Sequence, residues 1–279
     1  MTGALNSLRP HAMARPHGSA TAALGFCAAL VCAALSGCAG GGVAAVDTQP
    51  SNNTDAANIN VQLGLDYMKE GDLQLAQTKL DRALREDSHN ANVYLAMALL
   101  DARLGKAKDA DRDYHRALAL SHRSALMLND YAVYLCSHGR SAEGVRYADE
   151  AAANPLYQTP WAAYANAGIC LQNLHRDAEA LQRFTRALQS NPTFADAVFG
   201  AASVEFAQQR YLQARLRVDG FLIKNPPTPQ LLLLAWRIAG AQGDTDGQQR
   251  YRQRLNQEFP DSGQARALQI AAERSAPVD

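Results

Sequence analysis

The segment 61–90, VQLGLDYMKEGDLQLAQTKLDRALREDSHN, aligns without gaps with the segment 95–124, LAMALLDARLGKAKDADRDYHRALALSHRS. The offset between the two segments is 34 residues, and the pattern continues towards the end of the chain. A column of small residues marks each copy: Gly64, Ala98, Ala132, Gly168 and Ala202, with Trp236 one step further. The steps are 34, 34, 36, 34 and 34 residues. A fixed period of this length is the signature of a repeat architecture.

A second column predicts where the chain turns inside each copy. Its members are Gly71, Gly105, Gly139, His175, Gln209 and Gly243. Glycine at such a position reaches the left-handed conformation that ends a helix at low cost. Small residues recur in the helix that follows, at Ala76, Ala110, Gly144, Ala180 and Ala214. Each copy therefore reads as two helices joined by a tight turn, and the small residues let these helices approach closely.

This pattern resembles the tetratricopeptide repeat, a helix–turn–helix unit of 34 residues. One hairpin cannot bury its apolar face alone, so several hairpins must stack. The resemblance implies an all-α fold, a right-handed superhelix of about six tetratricopeptide-type hairpins with a C-terminal capping helix. The expected domain covers 57–274, with a disordered tail at 275–279. Its units lie near 57–90, 91–124, 125–158, 161–194, 195–228 and 229–262.

The N-terminal region has the organisation of a bacterial export signal. Arg9 and Arg15 precede an apolar stretch at 20–35, and this stretch is shorter than the ~20 residues that a membrane-spanning helix needs. A basic start followed by a short apolar segment is typical of a secretory signal peptide. Translation could begin at Met1 or at Met13, and the sequence does not distinguish the two starts.

The end of this apolar stretch, Leu35-Ser36-Gly37-Cys38, resembles the lipobox of bacterial lipoproteins. The resemblance implies removal of residues 1–37 and attachment of lipid to Cys38, because several acyl chains make a stable anchor. Residue 39 is alanine rather than aspartate, which in that family indicates the periplasmic face of the outer membrane. Residues 38–56 would then form a lipidated flexible tether. The alternative is a chance cysteine in a signal peptide or signal anchor.

Composition and motifs favour binding over catalysis. The chain has 27 basic and 27 acidic residues, and without a basic block nothing indicates a nucleic-acid partner. No metalloprotease, nucleophile-elbow or paired-cysteine metal pattern occurs. The word at 175–177, His-Arg-Asp, resembles a kinase catalytic loop but lacks the other parts of a kinase. We therefore expect no enzyme activity, no cofactor, no metal and no small-molecule substrate.

Stacked hairpins of this type curve so that the first helix of each unit lines a concave surface. Residues about four apart on that helix share one face. The predicted partner-binding groove consists of Val61, Leu65, Met68, Leu95, Leu99, Arg103, Asn129 and Val133. This surface suits an apolar or amphipathic segment of a partner protein. The alternative is that some of these residues only pack between units.

Two cysteines, Cys136 and Cys170, remain after removal of the signal and lipidation of Cys38. In an oxidising periplasm an even pair is a candidate disulfide. The alternative is two buried thiols.

Two words, LNDYAVYLCSHGR at 128–140 and NPLYQTPWAAYANAGICLQ at 154–172, are similar to sequences of the type IV pilus biogenesis and stability lipoproteins, the pilotin family. Cys136 and Cys170 match two cysteine positions of that family, which implies a disulfide between them. The resemblance also implies an outer-membrane lipoprotein that binds secretin subunits and promotes their localisation and multimer assembly, and hence twitching motility. An alternative is a repeat lipoprotein that scaffolds peptidoglycan hydrolases or barrel assembly.

Overall fold

A computed structural model describes residues 49–275, with side chains described for 53–270. The predicted signal peptide, the lipidation site Cys38, the first part of the predicted tether and residues 276–279 lie outside the described residues. Every regular element in the described part of the chain is an α-helix. None of these helices combines the length and the apolar character needed to cross a bilayer.

Thirteen helices follow one another in the described residues. They are α1 Gln49–Glu70, α2 Leu73–Glu86, α3 Ala91–Arg103, α4 Ala107–Leu120, α5 Ala125–Ser137, α6 Ser141–Ala153, α7 Pro160–Asn173, α8 Asp177–Ser190, α9 Ala195–Ala207, α10 Tyr211–Leu222, α11 Pro229–Ala241, α12 Thr245–Glu258 and α13 Gly263–Ser275. The first twelve form six hairpins, each with a first and a second helix, and α13 follows as a single helix. The predicted fold class is confirmed.

The first helix begins earlier than the sequence suggested. We expected the repeat domain to start at residue 57, but α1 already begins at Gln49. The polar side chains of this region bond to the end of α2 and the link behind it: Thr54 donates to the Asp87 carboxylate over 2.9 Å, and Asn60 donates to that of Glu86 over 2.8 Å. These contacts make the first turns of α1 part of the stack rather than of the tether.

Small residues let helices meet closely, as the repeat columns predicted. A Cβ atom at Gly64 of α1 would lie 2.8 Å from the side chain of Leu80 in α2. The ring of Phe184 in α8 is fully buried and lies against Gly168 of α7 and Gly200 of α9. The two glycines leave the space that the ring fills, so one aromatic side chain joins the fourth hairpin to the fifth.

The turn column adopts the left-handed conformation in all six hairpins. The glycines have φ between 71° and 86°, His175 has φ 57° and Gln209 has φ 58°. At the turn after α7 the amide of Arg176 donates to the carbonyl of Leu171 over 2.9 Å, which closes the helix end. Non-glycine residues at positive φ carry a steric cost.

Substituting His175 with glycine should therefore stabilise the protein. We expect the free energy of unfolding to rise by about 0.5–1 kcal/mol, because relief of the left-handed strain exceeds the added flexibility of the unfolded chain. The reverse change, Gly105→Ala, should lower the free energy of unfolding by about 1 kcal/mol. Urea unfolding followed by circular dichroism measures both, and a destabilised His175→Gly variant would contradict the argument.

One link differs from the repeat pattern. Between α4 and α5 two consecutive residues without glycine, His122 and Arg123, have φ of 51° and 57°. Arg123 makes two hydrogen bonds of 2.8 and 2.7 Å to the carboxylate of Glu150 in α6, and its guanidinium lies over the ring of Tyr147. These contacts hold the link in a conformation that its sequence does not favour.

Hairpins pack side by side around a continuous series of apolar clusters. Consecutive first helices contact each other in the second half of the stack, α5 with α7, α7 with α9 and α9 with α11. The first helices therefore line one side of the stack. The helix α13 covers the last hairpin, where Ala265 and Leu268 pack with Leu232 and Leu255. A terminal cap of this kind shields the apolar face that has no following repeat.

Candidate protein-binding surface

Each first helix in the middle of the stack exposes a single stripe. In α5 the residues that reach solvent are Leu126, Asp130, Val133 and Ser137, while the residues between them are buried. The spacing of four, three and four residues places these four side chains on one face of the helix. The other faces of α5 are buried, so this stripe is the surface that the helix can offer to a partner.

The same arrangement repeats on the next two first helices. The exposed or partly exposed stripe of α7 is Ala162, Asn166, Ile169 and Asn173, and that of α9 is Asp196, Phe199, Ser203 and Ala207. Because α5, α7 and α9 contact one another in order, the three stripes lie next to each other. We call these twelve residues the inner wall.

Four large apolar side chains of the inner wall are open to solvent: Leu126, Val133, Ile169 and Phe199 are 55%, 39%, 42% and 37% exposed. Single exposed apolar residues are common on protein surfaces, but a group of them on one face indicates a binding site. The inner wall therefore suits a partner with apolar side chains.

The predicted groove residues of α1 do not form this surface. Val61 and Met68 are 7% and 3% exposed and belong to the core between α1, α2 and α3. Leu65, Leu95 and Leu99 are partly buried against the same and the adjacent core. The choice of residues four apart on α1 selected its buried side, because sequence spacing fixes which residues share a face but not which way the face points.

The remaining predicted groove residues have separate positions. Arg103 is exposed, and its guanidinium donates to the carbonyl of Met68, near the end of α1. Asn129 is buried, and its side-chain oxygen accepts a hydrogen bond of 2.8 Å from Asn166. Val133 lies on the inner wall. The structure thus brings Val133 together with residues that the prediction omitted, chiefly Leu126, Ile169 and Phe199.

The repeat columns contained the signal for these omitted residues. Ile169 occupies the same repeat position as Val133, 36 residues later, and Phe199 occupies the repeat position of Leu95. Extending the predicted groove into the fourth and fifth units would have identified both.

A disulfide lies beside the inner wall. Cys136 of α5 and Cys170 of α7 are bonded to each other, with their Cα atoms 5.3 Å apart, and both are buried. Gly144 of α6 lies against the two sulfur atoms, and a Cβ atom there would overlap that of Cys136. The bond fixes the relative position of two helices that carry the inner wall. It also accounts for glycine, rather than alanine, at position 144.

The fold and this surface define a tetratricopeptide-repeat protein with a surface suited to another protein. No family model matches the chain. The chain is 27% identical over 233 residues to the type IV pilus assembly protein PilF of Pseudomonas aeruginosa, covering 84% of this chain and 92% of that protein.

Solved structures extend this similarity. The structure of PilW, a widely conserved type IV pilus biogenesis factor, gives a TM-score of 0.64 at 28% identity, covering 76% of this chain and 97% of that one. The structure of P. aeruginosa PilF gives 0.63 at 27% identity, covering 79% and 99%. A tetratricopeptide-repeat protein of Parabacteroides merdae gives 0.59 at 18% identity, covering 81% and 87%, which supports the fold alone. The chain is thus a tetratricopeptide-repeat protein similar to type IV pilus biogenesis proteins.

Proposed function

We propose that this protein is an outer-membrane lipoprotein of type IV pilus biogenesis that binds secretin subunits and promotes their localisation and assembly. In this role the lipid on Cys38 holds the protein at the periplasmic face of the outer membrane. The helical stack binds the secretin subunit, and the pilus emerges through the assembled ring. The role is binding rather than catalysis, in keeping with the pilus biogenesis and repeat proteins that the chain resembles.

The observation that carries the proposal is similarity along nearly the whole length of a pilus protein. The alignment with PilF covers 92% of that protein, and the superposition with PilW covers 97% of its chain. A shared repeat fold alone would support any of several binding functions. Sequence identity of 27–28% across almost entire chains favours a role in the same assembly process.

The anchoring cysteine gives a direct test. In a strain that lacks the gene, we expect secretin multimers to disappear from the outer membrane and twitching zones to vanish. The wild-type gene should restore both, whereas Cys38→Ser should fail because the protein loses its acyl chains and with them its stable attachment to the membrane. Immunoblots of unboiled outer-membrane fractions measure the multimers.

A matched control is Cys32→Ser, which removes a cysteine from the predicted signal peptide and should restore both readouts like the wild type. Normal secretin multimers in the deletion strain would refute the secretin role. Intact pili together with defects in peptidoglycan or in outer-membrane barrels would favour the alternative scaffold function.

A further inference from the structure

Two carboxylates on the inner wall distinguish it from the rest of the surface. Asp130 lies four residues after Leu126 and three before Val133, so it lies between them on the open stripe of α5. Asp196 lies three residues before Phe199 on α9. Within the described residues, neither carboxylate has a hydrogen-bond or ion-pair partner.

Acidic residues elsewhere in these hairpins are treated differently. Four of them are bonded to arginine at 2.6–2.8 Å: Asp111 to Arg140, Asp149 to Arg183, Glu150 to Arg123, and Glu205 to Arg217. The fold therefore supplies arginine partners for acids off the wall and leaves the two acids of the wall unpaired.

The surroundings make this lack of partners costly. Burial raises the pKa of Asp130 to about 6, and burial also raises the pKa of Asp196. In both cases the protein displaces water around the carboxylate without providing a counter-charge, which disfavours the ionised form. A cationic group from a partner would remove this cost, because a paired and hydrogen-bonded charge tolerates desolvation far better than an isolated one.

We infer that the inner wall binds an extended, apolar segment of a partner protein that carries two basic side chains, one for Asp130 and one for Asp196. This inference rests on the proposed function only in that the partner is a protein. Apolar side chains of the segment contact Val133, Ile169 and Phe199, between the two ionic contacts.

The distance between the two acids fixes the spacing of the basic residues. The helices α5 and α9 are separated by two helix-to-helix spacings of about 8–10 Å each, or roughly 16–20 Å. An extended chain advances about 3.3 Å per residue, so this distance corresponds to about five or six residues. Only an even number places both side chains on the same side of the segment. We therefore expect lysine or arginine about six residues apart, with apolar residues at the two intervening positions that face the wall.

The polar members of the wall favour an extended rather than a helical segment. Ser137, Asn166, Asn173 and Ser203 carry hydroxyl and amide groups between the apolar side chains. An extended segment brings main-chain N–H and C=O groups that need partners, and these side chains can provide them. A helix satisfies its own main chain and would leave them without that role.

The test is selection of peptides from a phage-displayed random library on the immobilised full-length protein. We expect the enriched peptides to carry lysine or arginine about six residues apart, with apolar residues between. A synthetic peptide from this pool should bind the Asp130→Asn/Asp196→Asn variant at least about tenfold more weakly than the wild type, because desolvated charge pairs contribute strongly to binding.

The control variant, Glu70→Gln/Asp246→Asn, removes the same formal charge from exposed positions outside the wall and should bind like the wild type. Thermal unfolding should show that the Asp130→Asn/Asp196→Asn variant is at least as stable as the wild type. Enriched peptides without basic residues, affinity that does not depend on the two acids, or no enriched peptide at all would overturn the inference. Because the selection uses neither secretin nor pili, its failure would leave the proposed function standing, and normal secretin assembly in the deletion strain would leave this result standing.

Discussion

Replacing Phe184 with alanine is expected to lower the free energy of unfolding by about 3–5 kcal/mol. The ring is fully buried and fills the space left by Gly168 and Gly200 on the helices at its two sides. Its removal leaves a cavity between the fourth and fifth hairpins. Because a repeat protein is stabilised by contacts between neighbouring units, we also expect unfolding to become less cooperative.

Urea unfolding followed by circular dichroism measures this effect. Leu216→Ala is a matched control, since Leu216 is 66% exposed and its truncation should change the free energy of unfolding by less than about 0.5 kcal/mol. Gly200→Ala should destabilise the wild type, because the added methyl overlaps the ring, but not the Phe184→Ala variant. Equal effects of Phe184→Ala and Leu216→Ala would show that the ring does not join the two hairpins.

Removal of the disulfide is the second large effect. In the oxidised protein, Cys136→Ala/Cys170→Ala should lower the free energy of unfolding by about 2–4 kcal/mol, because the bond closes a loop with a sequence separation of 34 residues. The bond joins α5 to α7, so its loss should also loosen the inner wall. Hydrogen exchange on these two helices would report that loosening.

The residue beneath the bond allows a sharper test. Gly144→Ala should lower the free energy of unfolding of the wild type by about 1–3 kcal/mol, since its methyl group has no room beside the two sulfur atoms. In the Cys136→Ala/Cys170→Ala background most of this cost should vanish. The gain in helix propensity of about 0.5–1 kcal/mol would then offset what remains. An identical cost in both backgrounds would show that the disulfide is not the reason for glycine at this position.

The repeat pattern was sufficient to predict the six hairpins and the terminal cap, because the 34-residue period repeats the same local instructions. Turn positions followed from it even at His175 and Gln209, where the residue itself does not favour positive φ. The tertiary contacts of the unit hold these two residues in the conformation that glycine adopts elsewhere.

By itself, the sequence determined the order of the helices, the turns and the residues that share a helix face. Only the tertiary structure decided which face is open. Val61 and Met68 became core, while Leu126, Ile169 and Phe199 stayed exposed, and Asp130 and Asp196 lie on the inner wall without a counter-charge. The physical reason is that periodicity is a local property of the chain, whereas exposure and charge pairing depend on how neighbouring hairpins are rotated and spaced when they stack.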